Sequence, residues 1–146
     1  MKYKGLYSII LCIVVGGMMS KFILDQYDKS TNELQVSNIK DTVYFYQQGV
    51  YSSKESMEEN IKNVEYYIYN IENNKYYVYI GMTAEEKNID KLQSYFKNIG
   101  FETYIKEFEI TNQPFLEVLQ QYDLMLEKTD DTNTIAAICS QILAKY

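Results

Sequence analysis

A strand–glycine–helix phrase occurs twice in this 146-residue chain, 32 positions apart, and it constrains the fold more than any other feature. Tyr46-Gln47-Gln48-Gly49-Val50-Tyr51-Ser52-Ser53-Lys54-Glu55 is echoed by Val78-Tyr79-Ile80-Gly81-Met82-Thr83-Ala84-Glu85-Glu86. Each copy reads as an aromatic-rich strand stopped by a glycine, then a hydroxyl residue opening a helix. Glycine suits a sharp strand-to-helix turn, which often needs a backbone angle that other residues adopt only with strain. Ser52 with Glu55, and Thr83 with Glu86, then spell S/T-x-x-E capping boxes that satisfy exposed helix amides reciprocally. Two units sharing one grammar predict a small symmetric domain.

The intervening residues complete it. Residues 42–48 alternate as a strand, and Met57, Ile61 and Val64 fall on one face of the helix that follows. Residues 66–72 and 75–80 read as strands joined by Asn73-Asn74, a pair that tolerates the positive φ of a tight antiparallel turn. Ile89, Leu92, Phe96 and Ile99 form a second helical stripe, stopped by Gly100 in the C′ position, and residues 101–110 supply a fourth strand. The order βαββαβ predicts an α+β fold of the ferredoxin/RNP-like sandwich type. Its four-stranded antiparallel sheet has strands one and three in the centre and two helices on one face. Beyond residue 110 the period changes to helical. Pro114 follows Thr111 and Asn112; Phe115, Leu119, Tyr122 and Leu126 line one side; Asp130-Asp131 interrupt. Ile135, Ile138, Cys139, Ile142 and Leu143 form the second stripe of a C-terminal helical hairpin, which packs on the domain or on a second copy.

The N-terminus sets the expected compartment. Lys2 and Lys4 precede an apolar run from Leu6 to Ser20, extended past Lys21 by Phe22-Ile23-Leu24. This suffices to cross a bilayer if Lys21 snorkels, whereas no A-x-A-like cleavage site follows it, although Gly17 and Ser20 keep a cleaved signal peptide open. The expected organisation is an N-terminal transmembrane helix over 1–24, a polar tether over 25–41, the sheet domain over 42–110 and the helical extension over 111–146. The lysine balance favours a single-pass protein of the cell membrane, its N-terminus cytoplasmic and its domain extracytoplasmic.

Composition narrows the chemistry. The chain holds 14 basic and 20 acidic residues, and every basic residue is lysine. Between residues 41 and 110 there are 12 acids and 7 lysines, a field that opposes nucleic acid, even though RNA binders of this topology also carry aromatics on strands one and three. No histidine, plausible cysteine nucleophile or phosphate loop is present, and paired acids such as Glu58/Glu59 and Glu85/Glu86 read as solvated helix surface. Cys12 and Cys139 have no metal spacing and read as small apolar residues. The expectation is a non-enzymatic protein without catalytic residues, metal or cofactor.

Strand alternation supplies a candidate binding face. If Val78 and Ile80 point to the helices, Tyr77 and Tyr79 point away, as do Phe45 and Gln47 on strand one. With Ile68 and Ile105 inward, Tyr67, Tyr69 and Tyr104 turn outward. This register buries Gln48 unless a bulge precedes Gly49. Tyrosines flanking a glutamine offer flat apolar rings, edge hydroxyls and an amide that both donates and accepts. Sugars present the complementary surface, C–H faces and hydroxyls. β-Propensity and AT-rich codon usage produce tyrosine-rich strands without any ligand, and the C-terminal helices are an alternative cover for this face.

Phe45-Tyr46-Gln47-Gln48-Gly49-Val50-Tyr51 resembles the first-strand pattern V-Q-x-G-S-F of the SPOR (sporulation-related repeat) domain family. Met57 falls where that family's helix alanine is usual, and Tyr77-Val78-Tyr79-Ile80-Gly81-Met82-Thr83 resembles its second pattern, R-V-x-V-G-P-F. Leu92 and Ile99-Gly100-Phe101 resemble the L…G-Y/F ending, so the resemblance covers roughly 42–110. It implies an extracytoplasmic module that binds peptidoglycan glycan strands stripped of stem peptides, at division or sporulation septa. Gln47 carries over most directly as a glycan-binding residue, with Phe45, Tyr67, Tyr69, Tyr77, Tyr79 and Tyr104 beside it on the expected face. The alternative is a membrane-anchored protein–protein interaction module of the cell envelope, with a partner or a second copy engaging residues 111–146.

Overall fold

The computed structural model describes residues 41–146. The expected anchor and residues 25–40 of the tether lie outside them; among the described residues no helix is long and apolar enough to cross a membrane. β1 (Asp41–Tyr51), β2 (Ile68–Glu72), β3 (Lys75–Thr83) and β4 (Tyr104–Ile110) form one antiparallel sheet in the order β2-β3-β1-β4. Helix α1 (Lys54–Asn60) follows β1, and a 3₁₀ turn (Glu86–Asn88) leads from β3 into α2 (Ile89–Asn98). After β4 come α3 (Gln113–Glu127) and α4 (Thr132–Lys145). The fold is α+β, with strands one and three central as the pattern predicts.

Local chemistry accounts for most boundaries. Asn73 and Asn74 adopt φ of 50° and 59°, the left-handed pair of a two-residue hairpin turn. Gly100 has φ 93°; its N–H donates to Lys97 O and that of Phe101 to Phe96 O, the paired bonds of a Schellman motif closing α2. Asn112 caps α3 by accepting from Phe115 N, and Asp131 caps α4 by accepting from Thr134 N.

The doubled phrase is realised differently from its reading. The cap of α1 is Ser53, not Ser52, and its hydroxyl accepts from Ser56 N at 3.1 Å. No capping box forms at Thr83. Its hydroxyl donates to the Asp123 carboxylate, and Glu86 instead accepts from Tyr44. Gly49 and Gly81 lie within strands and have no positive φ. Gly81 is required for space, because a Cβ there would stand 2.6 Å from the Phe96 ring.

Two compensating irregularities run through the centre of the sheet. Between Phe45↔Met82 and Gln47↔Tyr79, β3 carries one extra residue; between Gln47↔Tyr79 and Gly49↔Val78, β1 carries one. The second is the bulge before Gly49 that the burial of Gln48 calls for. Tyr46 packs its ring on Phe96 of α2 (centroids 5.3 Å apart) and donates to Ile89 O, which fixes its side of the sheet as the α2 side.

The C-terminal hairpin packs on this domain. Asp123 of α3 is fully buried and binds the end of β3. It accepts from the Thr83 hydroxyl, from Ala84 N at 2.9 Å and from Asn88 Nδ2 at 3.3 Å, while its own carbonyl accepts from Asn88 at 3.0 Å. Lys91 donates to Leu126 O and Thr129 O, each at 2.9 Å, closing the C-terminus of α3 with a cation. Cys139 is buried as expected, and burial pushes its thiol up to about 12.

Burial also pushes the Asp123 carboxyl up to about 6, with Glu85 adding to the rise and the bonds from Thr83, Ala84 and Asn88 opposing it. An unfolded aspartate titrates near 4, so the folded state binds this proton more tightly. The contribution to stability is therefore full below about pH 4 and is lost as pH rises through about 6, a difference of roughly 2–3 kcal/mol. Asp123→Asn removes the titration. The stability of the wild type relative to Asp123→Asn, from urea melts, is expected to fall by that amount between pH 4 and 7. A difference that stays flat contradicts this environment for Asp123.

Candidate functional site

Pairing assigns each side chain to a face, because residues directly opposite in a ladder project to the same side. Phe45 sits opposite Lys106, Gln47 opposite both Tyr104 and Tyr79, and Val43 opposite Phe108. The rings of Phe45, Tyr79 and Phe108 meet edge to face at 5.0–5.9 Å, marking the side of the sheet away from Tyr46 and α2.

Of the seven residues proposed from sequence, Phe45, Gln47, Tyr77, Tyr79 and Tyr104 share this outer face. Tyr77 is placed there by its partner Asn70 on β2. Tyr69 is not. The two-residue turn fixes Glu72 opposite Lys75, which sets Tyr69 opposite Val78 and Ile68 opposite Tyr79. Tyr69 therefore projects to the α2 side, where its ring lies 5.8 Å from that of Tyr76, and Ile68 takes the outward place. Tyr67 precedes β2 and stacks loosely with Tyr69 at 6.5 Å.

The face is not bare. Phe45 is 2 % exposed, and Gln47 and Tyr79 are 7 % exposed. Tyr146, following α4, sets its ring 5.4 Å from Phe45 and 5.2 Å from Phe115 at the start of α3. The C-terminal hairpin thus reaches the surface that the domain alone leaves open. The same helix packs on β3, and Cys139 and Leu143 line a cavity of about 190 Å³ with Ile80 and Phe96 on the opposite side of the sheet. A helix with residues on both sides must pass where the sheet ends. β2 pairs β3 only up to Tyr79, leaving residues 80–83 without a strand neighbour on that side.

What remains exposed on the outer face runs along β4. Tyr104 is 64 % exposed and Phe108 42 %, with Lys106 exposed between them. Beside Tyr104, the buried Gln47 Oε1 has no hydrogen-bond partner among the described residues. A buried acceptor without a donor costs about 1–3 kcal/mol, a local cost borne beside the exposed β4 row. Sequence reasoning missed Lys106 and Phe108, although the two-residue period from Tyr104 reaches both. Tyr146 had no such signal, since its position depends on how the hairpin docks.

The arrangement is a small α+β domain with an aromatic, amide-bearing sheet face; no group of acidic, histidine or cysteine side chains suited to a metal occurs among the described residues. No family model matches the chain, and no curated protein matches it. Among solved structures, the solution structure of the peptidoglycan binding domain of the B. subtilis cell wall lytic enzyme CwlC is similar. It is 24% identical with a TM-score of 0.43, over 49% of this chain and 96% of that one. At that level of likeness the reading of this site rests on its own residues.

Tyr79 points away from the helices as the alternation predicts, yet it is buried rather than solvent-facing. Tyr79→Ala is expected to destabilise the domain by about 3 kcal/mol or more through the lost ring packing, whereas Tyr104→Ala stays within about 0.5 kcal/mol. Urea unfolding midpoints of the two variants check this. Equal, small shifts would place Tyr79 at the surface.

Proposed function

We propose that this chain is a non-enzymatic, membrane-anchored extracytoplasmic protein that binds peptidoglycan glycan strands at division or sporulation septa. The observation that carries the reading is the row of exposed Tyr104, Lys106 and Phe108 on a sheet face of aromatic rings, with the Gln47 amide directly opposite Tyr104. Aromatic faces stack on pyranose C–H surfaces, and an amide oxygen accepts from a sugar hydroxyl. The resemblance of residues 42–110 to SPOR domains supports the same ligand and its septal setting. The apolar run before Lys21 supports a single-pass anchor with an inside N-terminus.

A second reading, an envelope protein–protein module without glycan binding, draws on the opposite side of the sheet. Tyr69 is 45 % exposed and Ile71 55 %, and both project to the α2 side near the hairpin tip. Exposed apolar groups of this kind serve protein contacts when they are contiguous.

Sedimentation of the purified chain with cell-wall sacculi separates the two. Co-sedimentation that rises when an amidase has stripped the stem peptides is expected. Absence of binding to both intact and stripped sacculi would remove the glycan reading and favour the protein module.

A further inference from the structure

The exposed part of the outer face has a chemistry of its own. Tyr104, Lys106 and Phe108 alternate along β4 and project to the same side as Gln47, Phe45 and Val43, their direct partners on β1. Four strand residues at roughly 3.3 Å each place Tyr104 and Phe108 about 13 Å apart, a span matching a short run of linked sugar rings. Lys106 stands midway as the cation of this row. It makes no salt bridge with another described residue. The acids beside it in sequence do not neutralise it from its own side, because Glu107 and Glu109 lie opposite Tyr44 and Thr42 and project to the other face. Phe45, over which a centred ligand would run, is closed off by Phe108, Tyr79 and Tyr146.

Resting on the glycan reading above, we infer that the glycan lies along β4 rather than across the sheet centre, and that Lys106 pairs with a carboxylate carried by the sugar. The ligand class that fits is an aminosugar strand bearing free lactyl carboxylates. In intact wall that carboxyl group is held in an amide bond to the stem peptide; hydrolysis of the amide leaves it as an anion. Tyr104 and Phe108 stack on the rings, and Lys106 distinguishes the stripped strand from the peptide-bearing one. The selectivity is then electrostatic and belongs to a residue outside the two glycine phrases.

The test measures binding of the full chain to three probes: amidase-stripped glycan, the same glycan with its carboxylates converted to neutral amides, and a neutral chitin oligosaccharide. Wild type is expected to prefer the first. Lys106→Gln should lose about two- to fivefold on the stripped glycan, the range of an exposed ion pair, and nothing on the neutral probes. Lys106→Glu should lose more, and rising salt should shrink both differences. Tyr104→Ala should weaken all three. Wild-type binding that is indifferent both to Lys106→Gln and to carboxylate neutralisation would overturn this inference while leaving the glycan reading standing. Failure of the wild type to bind any probe would overturn both. Each variant changes an exposed side chain, and an unaltered urea midpoint confirms that loss of binding is not loss of fold.

Discussion

Much of this structure depends on one buried carboxylate. Asp123 sits in the C-terminal half of α3 and accepts hydrogen bonds from Thr83, Ala84 and Asn88, the residues through which β3 turns toward α2. The start of a helix leaves backbone donors without partners, and here a side chain from a distant helix supplies the acceptor. Taking that carboxylate out of water is costly, which is why its affinity for a proton rises despite three donors. With Lys91 closing the far end of α3, the hairpin has two polar attachments to the turn between β3 and α2.

That attachment determines what the sheet can offer. Once α3 is held at the end of β3, α4 packs on β3, and Tyr146 comes to rest on Phe45. The aromatic centre of the outer face is thereby converted from surface into core. What stays exposed is the β4 side, with Tyr104, Lys106 and Phe108 at the surface beside the unsatisfied oxygen of Gln47. A face that would be a broad aromatic platform on the sheet domain alone becomes a narrow track.

The strands, the helices and the central position of strands one and three were legible in the sequence, because alternation, the Asn73-Asn74 turn and Gly100 each point to one local geometry. The register of β2 was legible too, but only from the turn. A two-residue loop sets every pair after it, so Val78 inward requires Tyr69 inward; placing Ile68 inward by its aliphatic character gave the opposite face. The capping role of Thr83 was misread: its hydroxyl accepts from Glu85 N at 3.1 Å rather than from Glu86 N, and it donates to Asp123, 40 residues away, a partner that no local pattern reveals. Gly81 was read as a backbone requirement, whereas it serves to admit the Phe96 ring. The covering of Phe45 could not be read locally, since Tyr146 reaches it only through the docking of a separate hairpin.

The central claim is that the outer face along β4 holds glycan. Titration of isotope-labelled protein with peptide-stripped glycan, followed by backbone and side-chain amide resonances, addresses it most directly. The account predicts that the largest shifts fall on residues 104–108 and on the Gln47 side-chain amide, with Tyr69, Ile71 and Ile99 unmoved. Shifts concentrated on those α2-side residues, or none anywhere at saturating glycan, would contradict it.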